Sequence, residues 1–309
     1  MKLHKLITTT SLAMIVSCLA AQSNSTLHKT YTEHKNIGPS INRAIQISAT
    51  FIGAPYSEFL LGDGPNSNLS PKPIYRLDKF DCITYVETVL ALTYTTNPQD
   101  FSYKYKDIKY KEGKYDFFHR NHFTNIDWNK NAQTKGYLTD ITTSILSRNS
   151  RPLATTAATL IDIPSWYNKL SNNANLWHKY TGVTLTNEAR QQLITHANNA
   201  RPMTSIIKYI PAKLLLNSSG KLNYQTLKAL PKITVVEIVR TNWDIKKHIG
   251  TNLDVSHIGF LINDGKTIKL RHASETHGKV VEVSLSKYLA IQSKQQSFAG
   301  LNIQKINLN

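Results

Sequence analysis

Cysteine is nearly absent from this chain: its 309 residues contain two, Cys18 and Cys82. Cys18 falls inside an N-terminal stretch that reads as an export signal, so the mature chain keeps Cys82 alone. A single thiol excludes an internal disulfide framework and leaves either inert packing or reactive chemistry. Apolar runs are also scarce. Leu6 to Ala20 is broken by three threonines and is too short for a good membrane span, and no later segment is apolar enough to cross a bilayer. No internal repeat or low-complexity tract occurs, and no His-Glu-x-x-His pattern offers a zinc-hydrolase site. Acidic residues number 20 against 37 Lys and Arg, for a net charge of +17. Such a balance serves solubility or suits a polyanionic partner: an acidic wall polymer, an anionic lipid surface or nucleic acid. Export favours the first two.

What is present begins with that signal. Lys2, His4 and Lys5 form a basic start, and small residues follow the apolar stretch. Cleavage after Ala20 or Ala21 gives a soluble exported protein. Ile15-Val16-Ser17-Cys18 also resembles a bacterial lipobox, which would make Cys18 the lipid-bearing first residue; both routes stay open. Residues 21–38 are polar and are expected to be a flexible lead-in. A helix is expected from Ser40, a good N-cap, through Ile52, with Gly53 as its stop. A Gly/Pro/Asn/Ser-rich loop runs from Gly62 to about Pro73.

The next helix carries Cys82, with Asp78 and Asp81 as candidate caps. Cys82, Val86 and Val89 recur at i, i+4, i+7, so the sulfur heads an apolar stripe. Tyr103 to Phe117 alternates around Glu112-Gly113 and predicts a hairpin. Residues 129–225 are less legible and are expected to form an insertion or lid, with a helix over 187–198 and an apolar stretch over 206–216 interrupted by Pro211. Strands are expected at 233–239, 255–262, 267–272, 280–283 and 301–306.

A thiol titrates near pH ~8.5 and reacts as thiolate, so a nucleophilic cysteine needs help at neutral pH. A helix N-terminus supplies it, because unpaired N–H groups and the helix dipole favour negative charge and later an oxyanion. The competing reading of Cys82 is a small buried hydrophobe. Two histidines favour chemistry. Val255 to Ile262 alternates as a strand, and Asn263-Asp264-Gly265-Lys266 signals a two-residue hairpin turn. That turn pairs Asn263 with Lys266 and places His257 directly opposite His272, with Cβ atoms roughly 4.5–5.5 Å apart. Gly259 on the same face leaves room for the Cys82 helix or a substrate. One imidazole can then take the thiol proton while the second orients it.

These residues resemble the NlpC-type cell-wall cysteine peptidases, a papain-like superfamily. The resemblance rests on Gly53-Ala54-Pro55-Tyr56, Phe80-Asp81-Cys82-Ile83-Thr84-Tyr85, Ser256-His257-Ile258-Gly259-Phe260 and Arg271-His272-Ala273-Ser274. Ile83-Thr84 stands where the superfamily has Ser-Gly. Arg76 to Leu92 and Arg120 to Trp128 bring the chain closer to one branch, the N-acetylmuramoyl-L-alanine amidase-like family long filed as a domain of unknown function. The resemblance implies Cys82 as nucleophile, His257 as base and His272 as orienting residue, with Tyr56 holding the thiol or the oxyanion.

The fold expected on that basis is α+β and papain-like. A Cys82 helix packs on an antiparallel sheet or small barrel, within one catalytic domain over 39–309 that carries a large helical insertion. The implied reaction is amide hydrolysis without a cofactor or metal, at the bond joining N-acetylmuramic acid to L-alanine in peptidoglycan or muropeptides. A cut at the γ-D-glutamyl bond of the stem peptide, or wall binding without catalysis, are the alternatives. A monomer is expected, exported to the periplasm, with no nucleic-acid partner.

Around Arg120 the cluster offers a substrate wall: Arg120 for a carboxylate, Trp128 to stack on a sugar, with His122 and Asp127 beside them. It reads equally as a solvated loop over a half-buried tryptophan. A zinc site of His119 and His122 with His257 or His272 is a further alternative that leaves Cys82 without a role. Asp127 and Glu87 are expected to pair with Arg76 or Arg120.

Overall fold

The computed structural model of the chain describes residues 25–34, 37–147, 149–217, 219–223, 227 and 230–308. The signal segment and Cys18 lie outside the described residues. The helices used below are α1 over 25–34, α2 Ile41–Thr50, α3 Cys82–Tyr94, α4 Asp100–Lys109, α5 Ile163–Ser171, α6 Ala174–Thr181, α7 Asn187–Asn199 and α8 Leu285–Gln292. The strands are β1 Leu138–Asp140, β2 Thr155–Ile161, β3 Met203–Pro211, β4 Ile233–Asp244, β5 Asn252–Asn263, β6 Ile268–Ser274, β7 Lys279–Ser284 and β8 Phe298–Ile306.

One eight-stranded sheet organises the molecule, in the order β2-β3-β8-β4-β5-β6-β7 with β1 on β8. Every recorded strand pairing is antiparallel. Both faces of its centre are covered. Ile233, Val235, Ile258, Phe260 and Ala273 meet α2, α3 and α4 on one face. Val236, Ile238, Leu261, Leu270 and Ile303 meet α8 on the other. This double burial is why Ile233 to Arg240 reads as a nearly unbroken apolar run and is buried throughout.

The central helix is α3, buried at every residue from Tyr85 to Thr93. Asp81 caps it, accepting the Thr84 N–H, while the Thr84 hydroxyl accepts from the Asp81 N–H. A reciprocal cap of this kind contributes about 1 kcal/mol and fixes where the helix begins. The expected helix after Ser40 is present as α2, with Ser40 accepting from the Arg43 N–H.

Three expectations change. Residues 103–117 do not form a hairpin: Asp100–Lys109 is helical, with Phe101, Tyr105 and Ile108 buried along one face. The Tyr103/Tyr105 alternation misleads because Tyr103 is simply exposed. Glu112 and Gly113 do turn the chain, both at positive φ, between the bridged residues Tyr110 and Arg120. Second, the stretch expected as a helical insertion contains α5, α6 and α7, but also β2 and β3. β2 pairs along its whole length with Met203 to Tyr209 of β3, and β3 joins β8 at Ile210 and Pro211. Third, the segment expected as a flexible lead-in carries α1, whose Leu27 is buried. Among the described residues no helix is long and apolar enough to cross a membrane.

Candidate active site

Cys82 is the first residue of α3 and is half-buried and free of any disulfide. The stripe it heads packs as expected, with Val86 and Val89 fully buried. Backbone N–H groups of Ile258, Ile83 and Cys82 lie close enough to the sulfur to favour its anionic form. Cys82 and His257 line one cavity of about 170 Å³, with Asn121, His122, Thr124 and Trp128 on its other walls.

His257 Nε2 and His272 Nδ1 are 2.6 Å apart, with the rings nearly perpendicular at 87°. The hairpin that brings them together differs from the expected one. Asn263 pairs with Ile268 and Phe260 with Arg271, so the turn holds four residues, not two. The cause is Asp264, whose carboxylate accepts the N–H groups of Lys266 and Thr267 and the Thr267 hydroxyl. A register slip of one residue would have sent one histidine to the opposite face. A slip of two keeps both on one face and makes them diagonal instead of opposed. Gly259 closes the gap, because a Cβ there would stand 2.9 Å from the His272 Cβ. The space expected at Gly259 for a helix or substrate is therefore filled by His272.

A bulge re-aims the base. His257 pairs with Ile238 but Val255 pairs with Val239, which leaves Ser256 as an extra residue beside the histidine. Recorded β5–β6 pairing stops at Phe260 and Arg271. The N-terminus of α3 meets β5 beyond that point, where Ile258 can offer its N–H to the sulfur.

Burial sets the proton positions. It pushes the Cys82 thiol up to about 12, with the Asp81 carboxyl adding to the effect. It pushes His257 down to about 4, and His272 to about 3 with help from His257 and His277. Thiol and imidazoles are thus neutral in the free site, with the proton on sulfur. Since His257 Nε2 is taken by His272, Nδ1 is the nitrogen left to accept that proton.

The other expected residues fall into two groups. His122 and Trp128 line the cavity; Trp128 is fully buried, with its Nε1 unpartnered among the described residues, and His122 donates Nε2–H to the Phe117 carbonyl at 2.7 Å. Tyr56, Arg120 and Asp127 do not line it. The Tyr56 hydroxyl donates to Glu58 at 3.3 Å, and burial followed by nearby Cys82 keeps the phenol protonated. Arg120 is held by Asp63 at 2.6 Å and by Ser70, and Asp127 by Lys111 at 2.7 Å. Glu87 takes a bond from Tyr105, and Arg76 pairs with Asp78, so the expected partners of these carboxylates are wrong. His119 bonds Asp116. Among the described residues no three His, Cys, Asp or Glu side chains are placed to hold a metal ion.

Sequence reasoning missed Tyr288 of α8. Its ring packs on both imidazoles, 5.5 Å from His272 and 6.4 Å from His257. No motif signals it: it comes from α8, which covers the sheet face that carries both histidines, opposite the face on which α3 packs.

Comparison with known proteins decides the family. A family described as AmiA-like, N-acetylmuramoyl-L-alanine amidase-like, matches residues 46–296. The chain belongs to this family. A crystal structure of a Legionella pneumophila str. Philadelphia 1 protein classed as DUF1460 is 36% identical to this AmiA-like chain, with a TM-score of 0.85 over 95% of this chain and 97% of that one. An N-acetylmuramoyl-L-alanine amidase from Bacteroides uniformis is similar in fold, with a TM-score of 0.58 at 21% identity over 86% of this chain and 98% of that one. A search of curated proteins returns no match. AmiA-like membership supports a hydrolase-like role and points to peptidoglycan-related substrates.

Proposed function

We propose that the protein is a cysteine-dependent amide hydrolase that cleaves the bond between N-acetylmuramic acid and L-alanine in peptidoglycan or its released muropeptides. The carrying observation is the meeting, at one cavity, of a helix-heading thiol with an imidazole bonded to a second imidazole. The Cys82 thiol passes its proton to His257 Nδ1 as the sulfur attacks the lactyl carbonyl. N–H groups of Cys82, Ile83 and Ile258 stabilise the resulting oxyanion. His257 gives the proton to the departing L-alanine amine, leaving a thioester on sulfur. Water attacks that thioester, His257 takes the water proton, and the thiol is restored as the lactyl acid leaves. His272 holds the His257 ring and stabilises its cationic form.

This arrangement also suits the NlpC-type, papain-like superfamily from which the sequence resemblance starts. Export to the periplasm, as a soluble protein or lipid-anchored at Cys18, belongs to the same reading, as does action as a monomer. Digestion of defined muropeptides, read by mass spectrometry, tests it: the expected product is a free stem peptide beginning with L-alanine. A muropeptide shortened within its stem would move the cut to the γ-D-glutamyl bond. Cys82→Ala is expected to remove hydrolysis while leaving muropeptide binding; unchanged turnover would end the cysteine mechanism.

A further inference from the structure

A second hollow, of about 500 Å³, opens beside the loop 62–73, the turn bearing Tyr115 and Asp116, and Gln192 of α7. The mechanism above uses none of these residues. A volume of this size is typical of small-molecule sites, roughly 300–1,000 Å³.

The lining chemistry is specific. In a chain with 37 Lys and Arg, none of the residues lining this hollow is basic. That disfavours an anionic ligand. Asn66, Asn68 and Gln192 bring amide groups that make no hydrogen bond among the described residues, so both their donors and acceptors are free. Asp116 is fixed by the N–H groups of Phe118 and His119 and by His119 Nδ1, yet its side chain remains 48% exposed. Tyr115 is 40% exposed, with Lys106 Nζ 4.7 Å from its ring centre. An aromatic face flanked by amides and a carboxylate matches a ligand with an apolar face and a rim of hydroxyl and acetamido groups.

The wall is also held rigid. The Asp63 side chain is fully buried, bonded to Arg120 at 2.6 Å and to the Tyr110 hydroxyl at 2.7 Å. Gly62, Asp63 and Gly64 donate backbone bonds to Pro73, Ser70 and Lys72 across the loop. Buried Lys109 donates to the Gly62 and Ile74 carbonyls. A polar loop pinned in this way loses little entropy on binding. Position matters as well. Phe117 lines this hollow and His122 lines the Cys82 cavity; their rings lie 4.7 Å apart, so one layer of side chains separates the two sites.

We propose that this hollow is a carbohydrate subsite, in which a pyranose ring stacks on Tyr115 while Asp116, Asn66, Asn68 and Gln192 bond its hydroxyl and acetamido groups. The proposal deepens the amidase reading and rests on it for the identity of the sugar: because Phe117 and His122 stand between this hollow and Cys82, the hollow takes a sugar of the glycan strand other than the one that bears the amide at Cys82.

The test is titration of the full chain with the trisaccharide of N-acetylglucosamine, followed by calorimetry. Saturable binding is expected, weakened about tenfold by Tyr115→Ala, the worth of one stacking contact. No binding, or a Tyr115→Ala protein that binds as the parent does, overturns the proposal. Unfolding midpoints check that the variant remains folded. Kinetics give a second readout: Tyr115→Ala should raise KM for muropeptides that carry several linked sugars but not for a muramyl dipeptide with one. A parallel rise in both would count against it. If neither substrate is hydrolysed, the amidase reading fails, and the sugar titration still decides this one.

Discussion

Gly259→Ala is the most searching perturbation of the candidate site, because it adds one methyl group and touches none of the reacting atoms. The new Cβ would stand 2.9 Å from the His272 Cβ, 3.0 Å from the Arg271 carbonyl oxygen and 3.2 Å from Leu270 Cδ1. Two of these neighbours are backbone or Cβ atoms, which no rotamer change can move. β5 and β6 must therefore part locally, and His272 retreats from His257. Overpacking of this kind costs typically 1–3 kcal/mol. The 2.6 Å bond between the imidazoles lengthens with the strand displacement and stops fixing the His257 ring. Misplacing a catalytic group by ~1 Å costs on the order of 100-fold in rate. We expect Gly259→Ala to remain folded, to lose about 1–3 kcal/mol in urea unfolding, and to drop kcat roughly 10–100-fold with KM little changed. Muropeptide turnover at several substrate concentrations separates the two constants. A folded Gly259→Ala protein with parental kcat would refute the idea that His272 orients the base.

Three further predictions address electrostatics. Burial holds His257 near 4, so its proton-accepting form persists well below neutrality, and kcat/KM should keep its plateau through pH 6 and fall only as pH approaches about 4; an acid limb at the ordinary histidine value of about 6.5 would contradict a buried base. The same shift has a stability consequence of definite sign: between about 6.5 and 4 the unfolded chain binds imidazole protons that the folded one refuses, so unfolding free energy should fall as pH drops through that window. Arg120→Ala leaves the fully buried Asp63 carboxyl without its cation and should cost about 3–5 kcal/mol in denaturant unfolding; a loss below about 1 kcal/mol would show that the pair holds nothing in place.

How far the sequence carried depends on which interactions are local. Asp81, Cys82 and Thr84 sit within one helical turn, so the cap and the sulfur's position at the helix head were legible directly. The imidazole pair was legible through strand parity alone. Parity survived a wrong turn length because the error was two residues, while the contact itself depends on Gly259, whose importance shows only when β5 and β6 are laid side by side. Arg120 was misjudged because its partner, Asp63, lies in a loop 57 residues earlier. An exposed-looking His-Arg-Asn-His run gives no sign of a buried carboxylate waiting for it. β2 and β3 were obscured for a similar reason: Thr155 to Ile161 contains few large apolar residues, and its pairing with Met203–Pro211 spans the whole intervening helical segment.

The proton arrangement of the site has one further consequence. For His257 Nδ1 to accept the thiol proton, Nε2 must carry hydrogen and donate to His272 Nδ1, which places the His272 proton on its own Nε2. That nitrogen is buried without a hydrogen-bond partner among the described residues. A buried donor with no acceptor disfavours this tautomer in the free site by about 1–3 kcal/mol. Transfer of the thiol proton makes His257 cationic, and the cation strengthens its bond to His272 Nδ1. The orphaned donor is present before and after that transfer, so the gain for the ion pair comes from the strengthened bond alone. Burial, which holds the thiol near 12, keeps Cys82 protonated and slow to oxidise until a carbonyl arrives, which suits the lone thiol of a protein proposed to work outside the cytoplasm. Iodoacetamide alkylation of the free protein should accordingly rise only well above pH 8.5; fast alkylation at pH 7 would reveal a preformed thiolate and remove this argument.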